Sequence, residues 1–164
     1  MNILRAVNSI LSKIAMTLAT CIIFIMVAAL TLSASTRFIT GSGFAWFIEL
    51  PPVLVSWLVF PLLGPLLKRS QHIQVDFITS LISKKSKRIL NFIVNFVVLI
   101  SSCVFLKAGY DATVLYFNLG QMLEIEMSVP IWWMFLAFPV GFFILGLVSI
   151  ELLIENIKEF SKVD

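Results

Sequence analysis

Ionisable and reactive side chains are scarce in this sequence. Only 13% of its 164 residues are charged, and it has one histidine and two cysteines. A single histidine, His72, cannot supply two axial ligands to a haem, and without a second His or a Cys beside it makes a poor metal site. No glycine-rich phosphate loop and no nucleophile paired with a base is present, so no catalytic site and no cofactor are expected. The cysteines do not pair either. Cys21 stands seven residues into its apolar run and Cys103 fourteen residues into another, counted from the same side. Their heights then differ by about 10 Å, beyond the roughly 7 Å between Cα atoms that a disulfide tolerates. Buried, inert thiols are expected, and a thiol-oxidising membrane enzyme, which needs cysteine pairs near the outer face, is excluded.

Apolar residues are abundant, at 60% of the chain. Charge-free runs cover 14–36, 50–67, 89–106 and 127–150, with 23, 18, 18 and 24 residues. A hydrocarbon core of roughly 30 Å needs about 20 helical residues, so each run is long enough to cross. None alternates as the strands of a barrel do. The expectation is an all-α membrane protein in a single domain, 1–164, with spans at about 14–36, 50–70, 89–116 and 130–153. The first run, with Arg5 and Lys13 ahead of it and Ser33-Ala34-Ser35 behind, resembles a cleavable signal. It is longer than the apolar core of a signal, so an uncleaved helix is expected.

Basic residues set the orientation. With the N-terminus in the cytoplasm, ten of the twelve fall inside, and only Arg37 and Lys107 fall outside. Both termini are therefore expected in the cytoplasm. The net charge of +3 is then a topology signal and no footprint for nucleic acid. Trp46, Trp132 and Trp133 fall at the outer boundary, where amphipathic rings prefer to sit.

Between these landmarks lie local signals. Pro51 and Pro52 suit the first turn of the second helix, whereas Pro61 and Pro65 lie deeper and predict a bend. Phe77, Ile78, Leu81 and Ile82 recur at helical spacing opposite Ser and Lys residues, with Asp76 as N-cap. A short interfacial amphipathic helix on anionic lipids is expected there, in preference to direct continuation into the third span. The third helix is predicted to run past Lys107 and Asp111 and to end at Asn118 or Gly120. Ala137 and Gly141, four residues apart, form a small patch that lets a neighbouring helix approach. The tail from Glu151 reads as an amphipathic, solvated end. No Asp, Glu, Lys, Arg or His interrupts a charge-free run, so no transport or proton-relay group is expected at mid-depth.

One pattern has a wider likeness. Trp46-Phe47-Ile48-Glu49-Leu50, Trp57, Leu63-Gly64, Arg69 and His72-Ile73-Gln74-Val75-Asp76 are followed by Ser128-Val129-Pro130-Ile131-Trp132 and Phe138-Pro139-Val140-Gly141-Phe142. Together they resemble the small membrane subunit, DctQ type, of tripartite ATP-independent periplasmic (TRAP) transporters. Four prolines in the second helix are more than that pattern carries. The resemblance implies a non-enzymatic subunit in the inner membrane of a bacterium. It would brace a large membrane subunit that holds the substrate and Na⁺ sites, and a periplasmic binding protein would deliver an organic acid. It also marks Trp46, Glu49, Trp57, Gly64, Arg69, His72, Asp76, Pro139 and Gly141 as motif or partner-interface candidates, and Glu124 and Glu126 as candidates for docking the binding protein. Each has a plainer role open to it: Glu49 as a helix-dipole partner, Asp76 as a cap, Trp57 as packing, Arg69 as a snorkelling cation, Glu124 and Glu126 as a solvated loop. The competing class is an autonomous small transporter or channel acting as a homo-oligomer, with a pore lined by Ser and Thr.

Overall fold

A computed structural model describes residues 2–42, 45–69, 84–123 and 128–160. Four of its helical segments are long and apolar enough to cross a membrane: Ile3–Thr40, Glu49–Lys68, Ile89–Leu119 and Ile131–Lys158. They are called the first to fourth spans below. The first is part of a helix, Asn2–Thr40, that stops where Gly41 adopts φ 77° and returns its N–H to the Arg37 carbonyl. The third belongs to Lys84–Leu119 and stops at Gly120, at φ 60°, as its sequence predicts. Glycine takes this left-handed conformation without a Cβ penalty.

Proline shapes the other two spans. The second starts within one residue of its expected limit, but its helix begins at Ala45, so Pro51 and Pro52 lie inside the helix and not in its first turn. The predicted bend is present: Ala45–Val59 gives way to a 3-10 turn at Phe60–Leu62, and Leu63–Lys68 resumes the α-helix. Pro61 supplies no N–H to an α-ladder, and the tighter turn absorbs that loss. The fourth span breaks at Leu136, between Ile131–Phe135 and Ala137–Phe160. The ring of Pro139 excludes the carbonyl four residues earlier, which is that of Phe135, the last residue of the shorter helix. A two-residue antiparallel ladder, Met122–Leu123 on Val129–Pro130, ties the third span to the fourth.

The fourth span is the hub. The second span packs along it through the bend, the first lies chiefly on the second, and the third rests on the fourth. In space the order is therefore first, second, fourth, third. The fourth span has the largest buried share of its apolar window and the third almost none. Residues 70–83 lie outside the described residues, and with them most of the expected interfacial helix. From Lys84 the chain is already the helix of the third span.

Two expectations about burial are overturned. Cys21 and Cys103 are free and exposed on the bundle surface. Glu151, expected in a solvated tail, is 2% exposed. The N-terminal part of the first helix closes over it.

Candidate functional site

Two glycines of the motif each meet the facing span across the bundle. A Cβ at Gly141 would lie 2.4 Å from the backbone oxygen of Phe60 and 2.6 Å from its Cβ. A Cβ at Gly64 would lie 2.7 Å from Ile144 Cγ2 and 3.1 Å from the Ile144 carbonyl oxygen. The bend of the second span is thus pressed into a groove of the fourth that only glycine leaves open, and Ala137, fully buried, continues the small patch expected there. Helices in lipid gain little from hydrophobic exclusion, so close van der Waals approach of backbones carries the association. Phe60 fills the remaining space, its ring 3.8 Å from that of Phe138 between centroids. Gly64, Pro139 and Gly141 are therefore committed to contacts within the chain.

Above this crossing stands an aromatic layer. The Trp57 indole N–H donates to the Trp133 carbonyl oxygen at 3.1 Å, and the two rings lie 5.5 Å apart. Tyr116 stacks on Phe135 at 4.4 Å, and Phe117 meets Trp132 edge-on at 5.6 Å. Trp57→Phe keeps the ring contact and loses one hydrogen bond in a dry setting. A stability loss of about 1 kcal/mol is expected, measurable as a lower thermal midpoint of the detergent-solubilised protein.

At the other end, where both termini lie, a polar clamp joins three spans. Asn8, 0% exposed, donates from Nδ2 to Glu151 Oε2 at 2.6 Å and to the Leu147 carbonyl at 3.1 Å. Lys68 Nζ reaches the other carboxylate oxygen of Glu151 at 2.8 Å. One turn further along the fourth helix, Arg5 donates to Glu155 Oε1 from Nε and Nη2 at 3.0 and 2.7 Å. None of these residues is among those that carry the family resemblance. Their sequence signal is weak: an Asn and a Lys that flank apolar runs, and a Glu placed at the very end of one. The remaining candidates are dispersed. Glu49 is half-buried in the second helix, Trp46 lies in its first turn, and Arg69 caps the bend's last helix from an exposed position. His72, Asp76, Glu124 and Glu126 fall outside the described residues.

Clamp and aromatic layer lie at the two ends of the apolar part of the fourth span. Glu151 and Trp132 stand nineteen positions apart along the fourth span, about 28 Å, close to the roughly 30 Å of a hydrocarbon core. This frame corrects one expectation. A Cβ at Gly109 would stand 3.0 Å from Phe138 Cβ and 3.1 Å from Pro139 Cδ, and one at Gly146 would stand 3.1 Å from Ser102 Oγ. These contacts fix the register of the third span on the fourth. Lys107 then lies ten residues below Phe117, about 15 Å inside the aromatic layer, and Asp111 about 9 Å inside it. Counting up from Glu151 through the Gly146–Ser102 contact also places Lys107 about 15 Å from the clamp. Sequence counting had put Lys107 outside, but it lies within the apolar span Ile89–Leu119, midway between the clamp and the aromatic layer. Each such charge in hydrocarbon costs roughly 2.5–3.5 kcal/mol on insertion scales.

The described structure defines a multi-pass α-helical membrane protein whose tightest contacts serve its own packing and whose third span is left largely uncovered. Residues 26–159 match the family model described as Tripartite ATP-independent periplasmic transporters, DctQ component. The chain belongs to that family, the small membrane subunits of TRAP transporters. A search of curated proteins gave no match.

Proposed function

We propose that this chain is the non-catalytic scaffold subunit of a secondary, ion-coupled TRAP transporter that imports an organic acid. It lies in the inner membrane of a bacterium with both termini in the cytoplasm. There it braces the large transport subunit, which carries the Na⁺ and substrate sites, and its outer loops help to dock the periplasmic substrate-binding protein. The observation that carries this reading is the family match over 26–159. The form of the bundle supports it: the second and fourth spans are locked by glycine contacts, the clamp fastens the first, and most of the third is left for a neighbour. A domain that carries solute across a bilayer needs a rigid frame to move against, and a locked bundle of this kind suits that work.

Copurification tests it. The tagged chain, expressed with its cognate large subunit, should bring that subunit down in stoichiometric amount, and reconstituted alone it should move no solute. Accumulation of an organic anion by liposomes that hold only this chain would overturn the proposal in favour of an autonomous transporter. Glu49→Ala should lower complex yield and uptake together, with the order of substrate preference unchanged. A changed preference at normal yield would place Glu49 in substrate selection instead.

A further inference from the structure

Lys107 and Asp111 are one turn apart on the third span, both exposed, and among the described residues neither has an ion-pair partner. They lie on the face opposite the seam that packs on the fourth span. That seam is Asn95, Ser102, Gly109 and Tyr116, each seven residues after the last; the first three are buried and Tyr116 is half-buried. Half a helical turn away runs the stripe Ile100, Val104, Lys107, Asp111 and Leu115, whose apolar members are 50%, 61% and 56% exposed. At 100° per residue these five positions fall within a sector of about 80°. Lys107 stands about 15 Å from both the clamp and the aromatic layer and Asp111 about 9 Å from the latter, within the apolar span Ile89–Leu119, so neither side chain reaches either layer by extending along the helix. Lipid tails offer such groups no hydrogen bonds. Ionisable residues at this depth pair with one another, with another chain or with water.

The geometry points to this stripe as the seat of a transmembrane helix of the large subunit, one that presents a carboxylate to Lys107 and a cation or hydrogen-bond donor to Asp111 at mid-depth. The inference rests on the proposed function, since it names the surface by which this chain meets that partner. Charge complementarity selects a protein helix over lipid as the occupant. The flanking Ile100, Val104 and Leu115 give that helix an apolar ridge to pack against, so the polar contacts set its register while the ridge supplies area.

The test uses the full complex of this chain with its cognate large subunit in membranes. Photo-crosslinking residues placed at 104 and at 115 should each join the large subunit. Lys107→Leu and Asp111→Leu should leave membrane insertion of this chain alone undiminished, because leucine suits lipid, while each lowers copurified large subunit at least tenfold. Exchanging the two charges should do the same. If the unaltered chain brings down the large subunit but crosslinks form only from Phe24 on the first span, and both leucine variants retain full yield, the stripe is not the interface and the scaffold reading stands. Crosslinks from 104 and 115 to a second copy of this chain would overturn the inference likewise. If the unaltered chain brings down no large subunit, the scaffold reading falls and this inference with it.

Discussion

Gly141→Ala is expected to lower the stability of the bundle by about 3 kcal/mol, the upper part of the range for overpacked sites. The reason lies in what the added methyl meets. At Gly141 it would come within 2.4–2.6 Å of backbone and Cβ atoms of Phe60, and a backbone held by a proline-fixed 3-10 turn cannot step aside. At Gly64 the nearest atom is a side-chain methyl, Ile144 Cγ2 at 2.7 Å, so Gly64→Ala should cost less, about 1–2 kcal/mol. Adding Ile144→Leu, which removes that branch, should recover part of the loss at Gly64 and none at Gly141. Thermal or denaturant unfolding in detergent, with size-exclusion profiles for each variant, reads the difference. A Gly141→Ala protein that matches the parent in midpoint and profile would mean that the two spans are not in contact as described.

The second large effect concerns the clamp. Glu151→Leu removes the acceptor of both Asn8 and Lys68. Breaking a fully buried ion pair costs roughly 3–5 kcal/mol. Lys68 is 34% exposed and can turn toward water, so about 2 kcal/mol is expected here. The double variant Lys68→Met with Glu151→Leu should regain most of that loss, because a matched apolar pair leaves no stranded charge. By contrast Arg5→Ala, which breaks an ion pair with side chains 48% and 35% exposed, should change the midpoint little. A cycle in which the two clamp substitutions merely add would show that Lys68 and Glu151 are independent. It would leave the first span tied to the fourth by Asn8, on the Leu147 carbonyl and on Glu151.

How much of this was legible beforehand depends on the range of the interaction. Pro61 and Pro65 announced the bend of the second span, since a missing N–H acts within four residues of its own position; the break of the fourth span ahead of Pro139 was not foreseen. Gly120 announced the end of the third helix for the same local reason. The Ala137–Gly141 patch could be read as a place of close approach, but not that Phe60 would be the group to fill it. Glu151 was misjudged because the pattern beyond it is amphipathic, and periodicity alone does not say which residue of a distant helix will cover a given face. Cys21 and Cys103 were misjudged in the opposite sense: an apolar run in a membrane helix indicates lipid or protein around it without distinguishing the two. The motif candidates divided similarly. Gly64 and Gly141 proved to be partners of Ile144 and Phe60, eighty or more positions away, and the clamp residues carried no motif at all.

The sequence alone determined four membrane-spanning helices, their approximate limits and the family, because charge-free length, proline and glycine act on the chain where they stand. Only the tertiary structure decided the order of the spans around the fourth, the burial of Glu151 and the depth of Lys107 and Asp111. Depth is a property of register between helices. That register is set by where Gly109 and Ser102 find room on the neighbouring surface, which no single helix contains.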